Sequence, residues 1–177
     1  YQLPLDGGTG LGKPLKLMQH PLRDHIPVYL GAEGPKNVAM AAEICDGWIP
    51  MFLSPYRMND QYADAMNIKP ADFEIAAAVP VVINDDVDKA RAAIKQNVGF
   101  YVGGMGAKSF NVHKDHVGRM GFGDAADEIQ HLFMSGKRDE AFAAVPDQLV
   151  DEIALCGPKE RIRERLQGWK DSPVTQI

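Results

Sequence analysis

Residues 26–53 constrain the fold more than any other stretch of the chain, and they read IPVYLGAEGPKNVAMAAEICDGWIPMFL. The short apolar run 26–30 is typical of a buried parallel strand. Pro35 stands where the first residue of a helix tolerates a missing N–H, and apolar residues then recur at helical spacing up to Cys45. Asp46 and Gly47 close that helix before a second apolar run, residues 48–53. The order predicts a β-α-β unit with parallel strands and a right-handed crossover.

The turn between the first strand and the helix is rich in small residues. A helix N-terminus presents free backbone N–H groups and the positive end of the helix dipole, and small residues let an anion approach that backbone. We therefore predict a phosphate cradle with Asn37 beside it, formed by Gly31, Ala32, Glu33, Gly34, Pro35 and Lys36. The alternative is an ordinary loop whose glycines serve the geometry of the turn. The charge of Glu33 would repel a phosphate unless its side chain points outward to water.

Composition excludes several classes of function. The chain has 177 residues with a net charge of −5, from 19 basic and 24 acidic side chains, and no basic stripe, which argues against nucleic acid as a partner. No apolar run approaches the roughly 18 residues of a membrane span, so no membrane partner is expected. Cys45 and Cys156 are far apart in apolar settings, which favours two reduced thiols in a cytoplasmic protein. We expect a small molecule as the substrate.

The rest of the chain supplies further elements. Residues 1–25 are a glycine-rich lead-in loop, and Pro14 stands where a nucleotide-binding P-loop needs Ser or Thr, so no such site is predicted. Ser54 is the expected N-cap of a helix over residues 55–66. Residues 72–83 suit a strand that Pro80 interrupts by a bulge or an early end. Asp85 or Asp86 then caps a helix that runs to about residue 101 and ends at the glycines of 103–106.

The last third of the chain is helical in character. Residues 107–145 predict two or three helices without a strand, including an amphipathic helix over 124–134 whose inward face is Ala125, Ile129, Leu132 and Phe133. A further helical turn covers 147–153, the final helix covers 159–169, and a strand begins at 174.

Few side chains suggest catalysis or metal binding. His113 and His116 stand three apart and could face one side of a helix, but no third metal ligand is placed to join them. We therefore predict a solvated pair of histidines and no metal site. No Ser-His-Asp arrangement is supported either. Asp46 is expected to be structural, accepting hydrogen bonds from backbone N–H groups at the start of a strand.

Several long motifs occur in an order that resembles one known family. They are YLGAEGPKNVAMAAEICDGWIP, YVGGMGAKSFN, RMGFGDAADEIQHLF and VPDQLVDEIALCGPKERIRERL. Together they resemble the luciferase-like monooxygenase superfamily and, more narrowly, its coenzyme F420-dependent oxidoreductases. The resemblance implies an α/β fold in which the chain is the C-terminal half, strands five to eight, of a (β/α)8 TIM barrel with a helical insertion. Residues 26–106 would form units five to seven, 107–153 the insertion, and 154–177 the last helix and the start of strand eight.

The resemblance also implies a cofactor and a reaction. Coenzyme F420, or FMN as the alternative, would lie across the C-terminal mouth of the barrel with its phosphate on the turn Ala32-Glu33-Gly34-Pro35. The reaction would transfer a hydride to or from C5 of F420, whereas FMN would make the enzyme a monooxygenase. Catalytic residues are expected from the first four strands, so none is assigned here. The apolar stretch 51–54, where a sugar-phosphate branch has Thr and Lys, favours a less polar substrate.

The same resemblance suggests a different outcome for the chain by itself. A half-barrel exposes strand edges that recruit other chains. We therefore also expect a homo-oligomer, and an isolated chain that self-associates and is inactive.

Overall fold

The computed structural model describes residues 3–10, 12–13 and 18–177. The described part of the predicted lead-in loop contains neither helix nor strand, and Pro14 lies outside the described residues. The two cysteines are free: Cys156 is buried and Cys45 is partly buried. Within the ranges described, no helix combines the length and the apolarity needed to cross a membrane.

A parallel three-stranded sheet forms the first half of the fold. Its strands are β1 (Tyr29–Gly31), β2 (Gly47–Ile49) and β3 (Glu74–Ile75), in that spatial order. Helix α1 (Pro35–Ile44) connects β1 to β2, which confirms the predicted β-α-β unit. Gln176 bridges Ala76 in parallel, so the chain end continues the sheet beyond β3. Because all these strands run the same way, their carboxyl ends meet at one edge.

The predicted strand over residues 72–83 is interrupted near Pro80, as the sequence indicated. It divides into β3 and β4 (Val81–Ile83), and β4 pairs in parallel with β5 (Leu155–Gly157). Pro80 lies at the break because it has no N–H for a ladder, although its carbonyl still accepts from the Leu155 amide at 2.9 Å. Sequence reasoning missed β5 since its three residues, although all buried, are too few to show a strand pattern.

The predicted helix over residues 55–66 is also divided. It forms α2 (Met58–Gln61) and α3 (Ala63–Ile68), with a non-helical backbone at Tyr62 between them. Ser54 does not cap it. The Ser54 hydroxyl instead donates to the carboxylate of Glu152 at 3.0 Å.

Helix α4 (Val87–Gly104) begins as predicted and ends later. The Asp86 carboxylate caps it by accepting from the amides of Asp88 at 3.1 Å and Lys89 at 3.2 Å. Gly103 does not break the helix. A Cβ on it would lie 2.5 Å from the Cβ of Phe133, so this glycine allows a close helix contact.

The following residues are helical, as predicted. They form α5 (Val112–Val117), a kinked turn Gly118–Phe122, α6 (Gly123–Met134), α7 (Arg138–Ala143), α8 (Asp147–Ile153) and, after β5, α9 (Lys159–Lys170). The kink centres on Gly121, whose φ of 89° is left-handed. On α6, Ile129 is buried as predicted, but Ala125, Leu132 and Phe133 are only partly buried and Ala126 takes the inner position. The predicted division into domains remains a prediction.

Two groups of buried apolar side chains form the core. The sheet cluster packs α1, β2, α3, β3 and α9 together and contains Val38, Ala41, Ala42, Trp48, Leu53, Met58, Tyr62, Ala65, Phe73, Ile75, Ala77, Leu155 and Trp169. The helical cluster packs α4 to α8 together and contains Phe52, Ala90, Ile94, Val98, Val102, Val117, Met120, Ala126, Ile129, Ala141, Val145, Leu149, Val150, Ile153, Ala154 and Cys156. Neighbours in sequence, such as Phe52 and Leu53, enter different clusters.

Candidate functional site

A cavity of about 690 Å³ lies at the carboxyl ends of the three parallel strands. Its walls are residues 31–34 after β1, residues 49–51 at the end of β2, Ala78 after β3, and side chains from α5 and the residues beside it. Ligands of α/β folds bind outside the carboxyl ends of parallel strands, so this is the place where a site is expected.

The structure brings most of the predicted cradle to this cavity. Gly31, Ala32, Glu33 and Gly34 line it, together with Asn37, whereas Pro35 and Lys36 are not part of its wall. The amides of Glu33 and Gly34 donate to no acceptor in the part of the chain that the structure describes. That these residues bind a cofactor remains a prediction.

The glycines of this turn are not required by its backbone geometry. Gly34 has φ −77° and ψ 134°, which any residue adopts, and Gly31 is not among the left-handed glycines. A Cβ on either would meet no heavy atom within 4 Å, whereas a Cβ on Gly47 would lie 2.8 Å from the Glu74 carbonyl oxygen. The alternative that these glycines serve turn geometry is therefore not supported. Their effect is to leave open space beside the turn.

The core holds the turn by its carbonyl groups. The buried indole of Trp48 donates from Nε1 to the Ala32 carbonyl at 2.8 Å, and the Tyr62 hydroxyl donates to the Glu33 carbonyl at 3.1 Å. The two rings pack edge to face with centroids 4.8 Å apart. Arg119 Nη2 also donates to the Glu33 carbonyl at 3.1 Å. These bonds fix the turn while leaving its amides available.

From the sequence, a phosphate cradle requires the Glu33 side chain to point outward to water. In the structure the side chain does not do so. It is only 9% exposed, and its Oε1 lies 2.7 Å from Nδ1 of His113. Its Oε2 is buried and has no hydrogen-bond partner within the described ranges. The condition stated for a phosphate cradle is therefore not met, because α5 packs beside the turn and brings a histidine to the carboxylate.

The prediction that His113 and His116 form a solvated pair is wrong as well. His116 is 1% exposed, and its Nε2 donates to the Phe52 carbonyl at 3.1 Å. Burial is the main cause that lowers the pKa of His116, which favours the neutral ring. His113 instead faces Glu33. Among the residues described, no three His, Cys, Asp or Glu side chains are grouped so that they could hold a metal ion.

The stretch after β2 turns into the core. Phe52 has φ 52°, rare for a bulky residue, and its ring contacts the rings of Tyr101 and His113 edge to face. Phe52, Leu53 and Ser54 are buried at 3%, 2% and 1% exposure. Of the apolar stretch expected to shape a substrate pocket, only Met51 reaches the cavity.

Asp46 has the structural role that the sequence predicted, although it is not buried. Its Oδ2 accepts from the Val28 amide at 2.7 Å and its Oδ1 accepts from His25 Nε2 at 2.8 Å. The bond from Val28 is the main cause that lowers the pKa of Asp46, and the bond from His25 is the second. The residue precedes β2, so it ties the amino ends of the strands, away from the cavity.

Comparison with known proteins identifies related sequences over almost the whole chain. The family described as luciferase-like monooxygenase matches residues 8–176. A Mycobacterium tuberculosis protein named "Putative coenzyme F420-dependent oxidoreductase Rv3520c" is 47% identical, and the match covers 100% of this chain and 54% of that protein. The 5,10-methylenetetrahydromethanopterin reductase of Archaeoglobus fulgidus is 27% identical, and the match covers 86% of this chain and 47% of that protein. The chain thus spans about half the length of these relatives.

Two solved structures share the fold. The coenzyme F420-dependent tetrahydromethanopterin reductase of Methanopyrus kandleri superposes with a TM-score of 0.65 at 23% identity, covering 86% of this chain and 44% of that one. An F420-dependent secondary alcohol dehydrogenase, solved with an F420-acetone adduct, superposes with a TM-score of 0.58 at 17% identity, covering 97% and 46%. At these identities the likeness establishes the α/β fold alone.

Proposed function

Since the chain belongs to the luciferase-like monooxygenase family, we propose that it is the cofactor-binding part of an oxidoreductase that uses coenzyme F420. One relative is named as a coenzyme F420-dependent oxidoreductase and another as a methylenetetrahydromethanopterin reductase. The two solved structures that share the fold are of F420-dependent enzymes. Within this proposal the chain corresponds to strands five to eight of the barrel, and strand order β1-β2-β3 followed by the chain end supports that assignment.

One observation carries the proposal: the turn after β1 is open where a ligand would lie. Gly31 and Gly34 leave space that no neighbouring atom occupies, and the amides of Glu33 and Gly34 have no acceptor among the described residues. A backbone of this kind fits the anionic tail of a cofactor. Lys36, which sequence placed in the cradle, is not needed for this fit.

The remaining walls of the cavity suit a flat ring and compensate charge. Ile49, Pro50 and Met51 supply an apolar wall. The Glu33 carboxylate would disfavour an anion, but the Arg119 guanidinium lies against the same turn. Bound there, F420 would supply hydride transfer at its C5 atom, while the protein binds and orients.

The first test compares two cofactors on the intact protein. F420 and FMN are titrated separately, and the fluorescence of each is followed to obtain its dissociation constant. We expect tighter binding of F420. Tighter binding of FMN would contradict the proposal and would favour the flavin-dependent monooxygenase instead.

The second test fills the open space with Gly34→Leu. Because the backbone of Gly34 accepts any residue and its Cβ position is free, the variant should fold normally. We expect F420 to bind at least about tenfold more weakly, equivalent to roughly 1.4 kcal/mol of binding free energy. Ala93→Leu, on an exposed position of α4, adds a large side chain away from the cavity and is the control. Unchanged affinity in Gly34→Leu would refute the cradle.

Two further parts of the proposal concern substrate and assembly. The apolar side chains along the cavity favour a small substrate of low polarity. Within the described ranges no strand pairs with the outer edge of β1, and Ile26 and Val28 beside it are 70% and 56% exposed, which supports self-association. Light scattering that finds only monomers would contradict a homo-oligomer. The cytoplasmic location and the inactivity of the isolated chain remain predictions.

A further inference from the structure

Two apolar side chains at the start of α5 line the cavity and remain exposed. Phe110 is 68% exposed, although it is a large apolar residue, and Val112 is 44% exposed. They stand on either side of Asn111, the last residue of the motif YVGGMGAKSFN, which the cofactor proposal does not use. Large apolar side chains that are exposed in a concave site are typical of surfaces that bind a ligand.

The residue between them is a buried anchor. Asn111 is 3% exposed, and its Nδ2 donates to the carbonyls of Tyr101 at 3.2 Å and Val102 at 2.8 Å, both on α4. Its Oδ1 accepts from the amides of His113 at 3.0 Å and Lys114 at 3.1 Å. The side chain thus uses its donor and its acceptor within the fold, and it ties the start of α5 to α4.

The backbone around the anchor fixes the direction of the two apolar side chains. Ala107 and Phe110 form an antiparallel bridge, and the Phe110 amide donates to the Ala107 carbonyl at 3.0 Å. A Cβ on Gly106 would lie 2.8 Å from Cα of Asn111, so this glycine lets the turn close on the anchor. Asn111 itself is extended, with φ −138° and ψ 105°. Because successive side chains of an extended backbone point to opposite sides, burial of Asn111 directs Phe110 and Val112 away from the core.

We propose that Phe110 and Val112 bind the substrate, and that they select an uncharged compound that carries an apolar ring. The inference rests on the proposed function and deepens it by naming a substrate class. Ile49, at the end of β2, is 46% exposed and lines the same cavity, as does Met51. The ring would therefore gain apolar contacts from two separate elements, and the Phe110 ring offers a face or an edge for aromatic packing.

Several polar groups of the cavity are instead committed to the turn after β1. Nη2 of Arg119 donates to the Glu33 carbonyl at 3.1 Å, and Nδ1 of His113 lies 2.7 Å from the Glu33 carboxylate. The turn is thus where an anionic tail finds partners. A charged group against Phe110 and Val112 would lose hydration without gaining a hydrogen bond from these side chains, whereas an uncharged ring gains from its burial.

The test uses two probes that share one ring system and differ by a single charge. N-phenyl-1-naphthylamine is uncharged, and 1-anilinonaphthalene-8-sulfonate carries a sulfonate. Each is measured by equilibrium dialysis against the intact protein, with and without saturating F420. We expect the uncharged probe to bind in both conditions and to bind more tightly than the sulfonate. Phe110→Ser should weaken its binding at least about tenfold, because most of the apolar contact with the ring is lost, and Val112→Ser should weaken it less.

Another exposed phenylalanine supplies the matched control. Phe100→Ser removes a side chain that is 46% exposed on α4 and does not line the cavity, so probe affinity should stay unchanged. Phe110→Leu keeps an apolar side chain and should retain most of the affinity. Since the Phe110 side chain is exposed, Phe110→Ser should unfold at the urea concentration of the unchanged protein. An equal loss of probe binding in Phe100→Ser would indicate adsorption to apolar surface and would overturn the site.

The cofactor measurements separate this inference from the proposed function. Displacement of the uncharged probe by F420, or weaker F420 binding in Phe110→Ser, would place the cofactor ring here and overturn the substrate assignment. F420 binding with unchanged probe affinity in Phe110→Ser, or with no probe binding at all, would also overturn it and leave the proposed function intact. Probe binding without any F420 binding would overturn the proposed function, and the assignment of this site to its substrate with it.

Discussion

The turn after β1 and the surroundings of Glu152 on α8 differ in whether their polar atoms have hydrogen-bond partners. At the turn, the amides of Glu33 and Gly34 and the Oε2 atom of Glu33 have no partner among the described residues. On α8, both carboxylate oxygens of Glu152 are used: they accept from Ser54 at 3.0 Å, from Arg57 at 2.5 and 2.8 Å, and from Gln148 at 3.1 Å. Polar atoms at the turn therefore lack partners, whereas those of the Glu152 carboxylate are all paired.

The difference separates function from stability. A buried polar group without a partner costs about 1–3 kcal/mol, and Oε2 of Glu33 is such a group until something else completes its hydrogen bonds. The turn stands at the carboxyl ends of parallel strands, where a ligand can do so. Glu152 connects α8 to the chain after β2 and does not line the cavity described above, so its bonds serve the fold. Substitutions in the two regions should therefore act on different measurements.

Glu152→Gln should give the largest loss of stability. Although burial raises the pKa of Glu152, the hydrogen bonds from Arg57, Ser54 and Gln148 outweigh it and leave the pKa lowered, so the ionised form is the one that the fold stabilises. The variant removes the carboxylate with which Arg57 pairs. Because the Arg57 side chain is 35% exposed, we expect a loss of about 2–3 kcal/mol in the free energy of unfolding, below the roughly 3–5 for a fully buried pair.

Urea denaturation measures this loss, and F420 titration should show an unchanged affinity. Glu164→Gln, at an exposed position of α9, is the control and should have little effect. A variant of Glu152 that kept its stability but lost cofactor affinity would reverse the assignment of the two regions.

The same substitution at two glycines should give opposite results. In Gly103→Ala the new Cβ would lie 2.5 Å from the Cβ of Phe133, so overpacking should cost about 1–3 kcal/mol, of which better helix propensity returns up to about 1. In Gly31→Ala the new Cβ meets nothing within 4 Å, and we expect a gain of about 0.4–1 kcal/mol because the unfolded chain loses freedom.

Thermal or urea unfolding of both variants tests this contrast. Phe133→Ala should rescue Gly103→Ala only in part, since it removes the ring atoms at 2.6 and 2.9 Å from the new methyl group but keeps the Cβ at 2.5 Å. Equal destabilisation at both positions would show that Gly31 serves the fold after all, and the open turn would lose its meaning as a binding site.

The sequence predicted the features that depend on neighbouring residues, but it did not predict those that depend on contacts between residues far apart in the chain. The β-α-β unit and the Asp86 cap follow from local patterns, and both are present. Strand β5 exists only because residues 81–83 lie beside it. The Glu33–His113 pair joins positions 80 residues apart, so nothing in the local sequence distinguishes it from a solvated glutamate and histidine. Gly31 and Gly103 look alike in sequence, and only the position of Phe133 separates their roles.

The smallest effect on stability is expected at Asp46. Both of its carboxylate oxygens accept hydrogen bonds, like those of Glu152, but Asp46 is more exposed. Its side chain is 38% exposed, and the bonds from Val28, first, and from His25, second, lower its pKa in the folded protein. A lowered pKa means that its contribution is present above the pKa of the unfolded chain and is lost as the pH falls through the folded value. Asp46→Asn should therefore destabilise the protein at neutral pH and flatten the decline towards acid.

Urea midpoints measured from neutral to acid pH test this prediction. Asp72→Asn, which removes an exposed carboxylate without a side-chain hydrogen bond among the described residues, should keep the pH dependence of the unchanged protein. Because Asp46 ties the amino ends of the strands and the cavity lies at their carboxyl ends, F420 affinity should stay constant in both variants. A loss of F420 affinity in Asp46→Asn would mean that the whole of β1 is positioned by the bond between Val28 and Asp46. The two ends of the sheet would then not be independent.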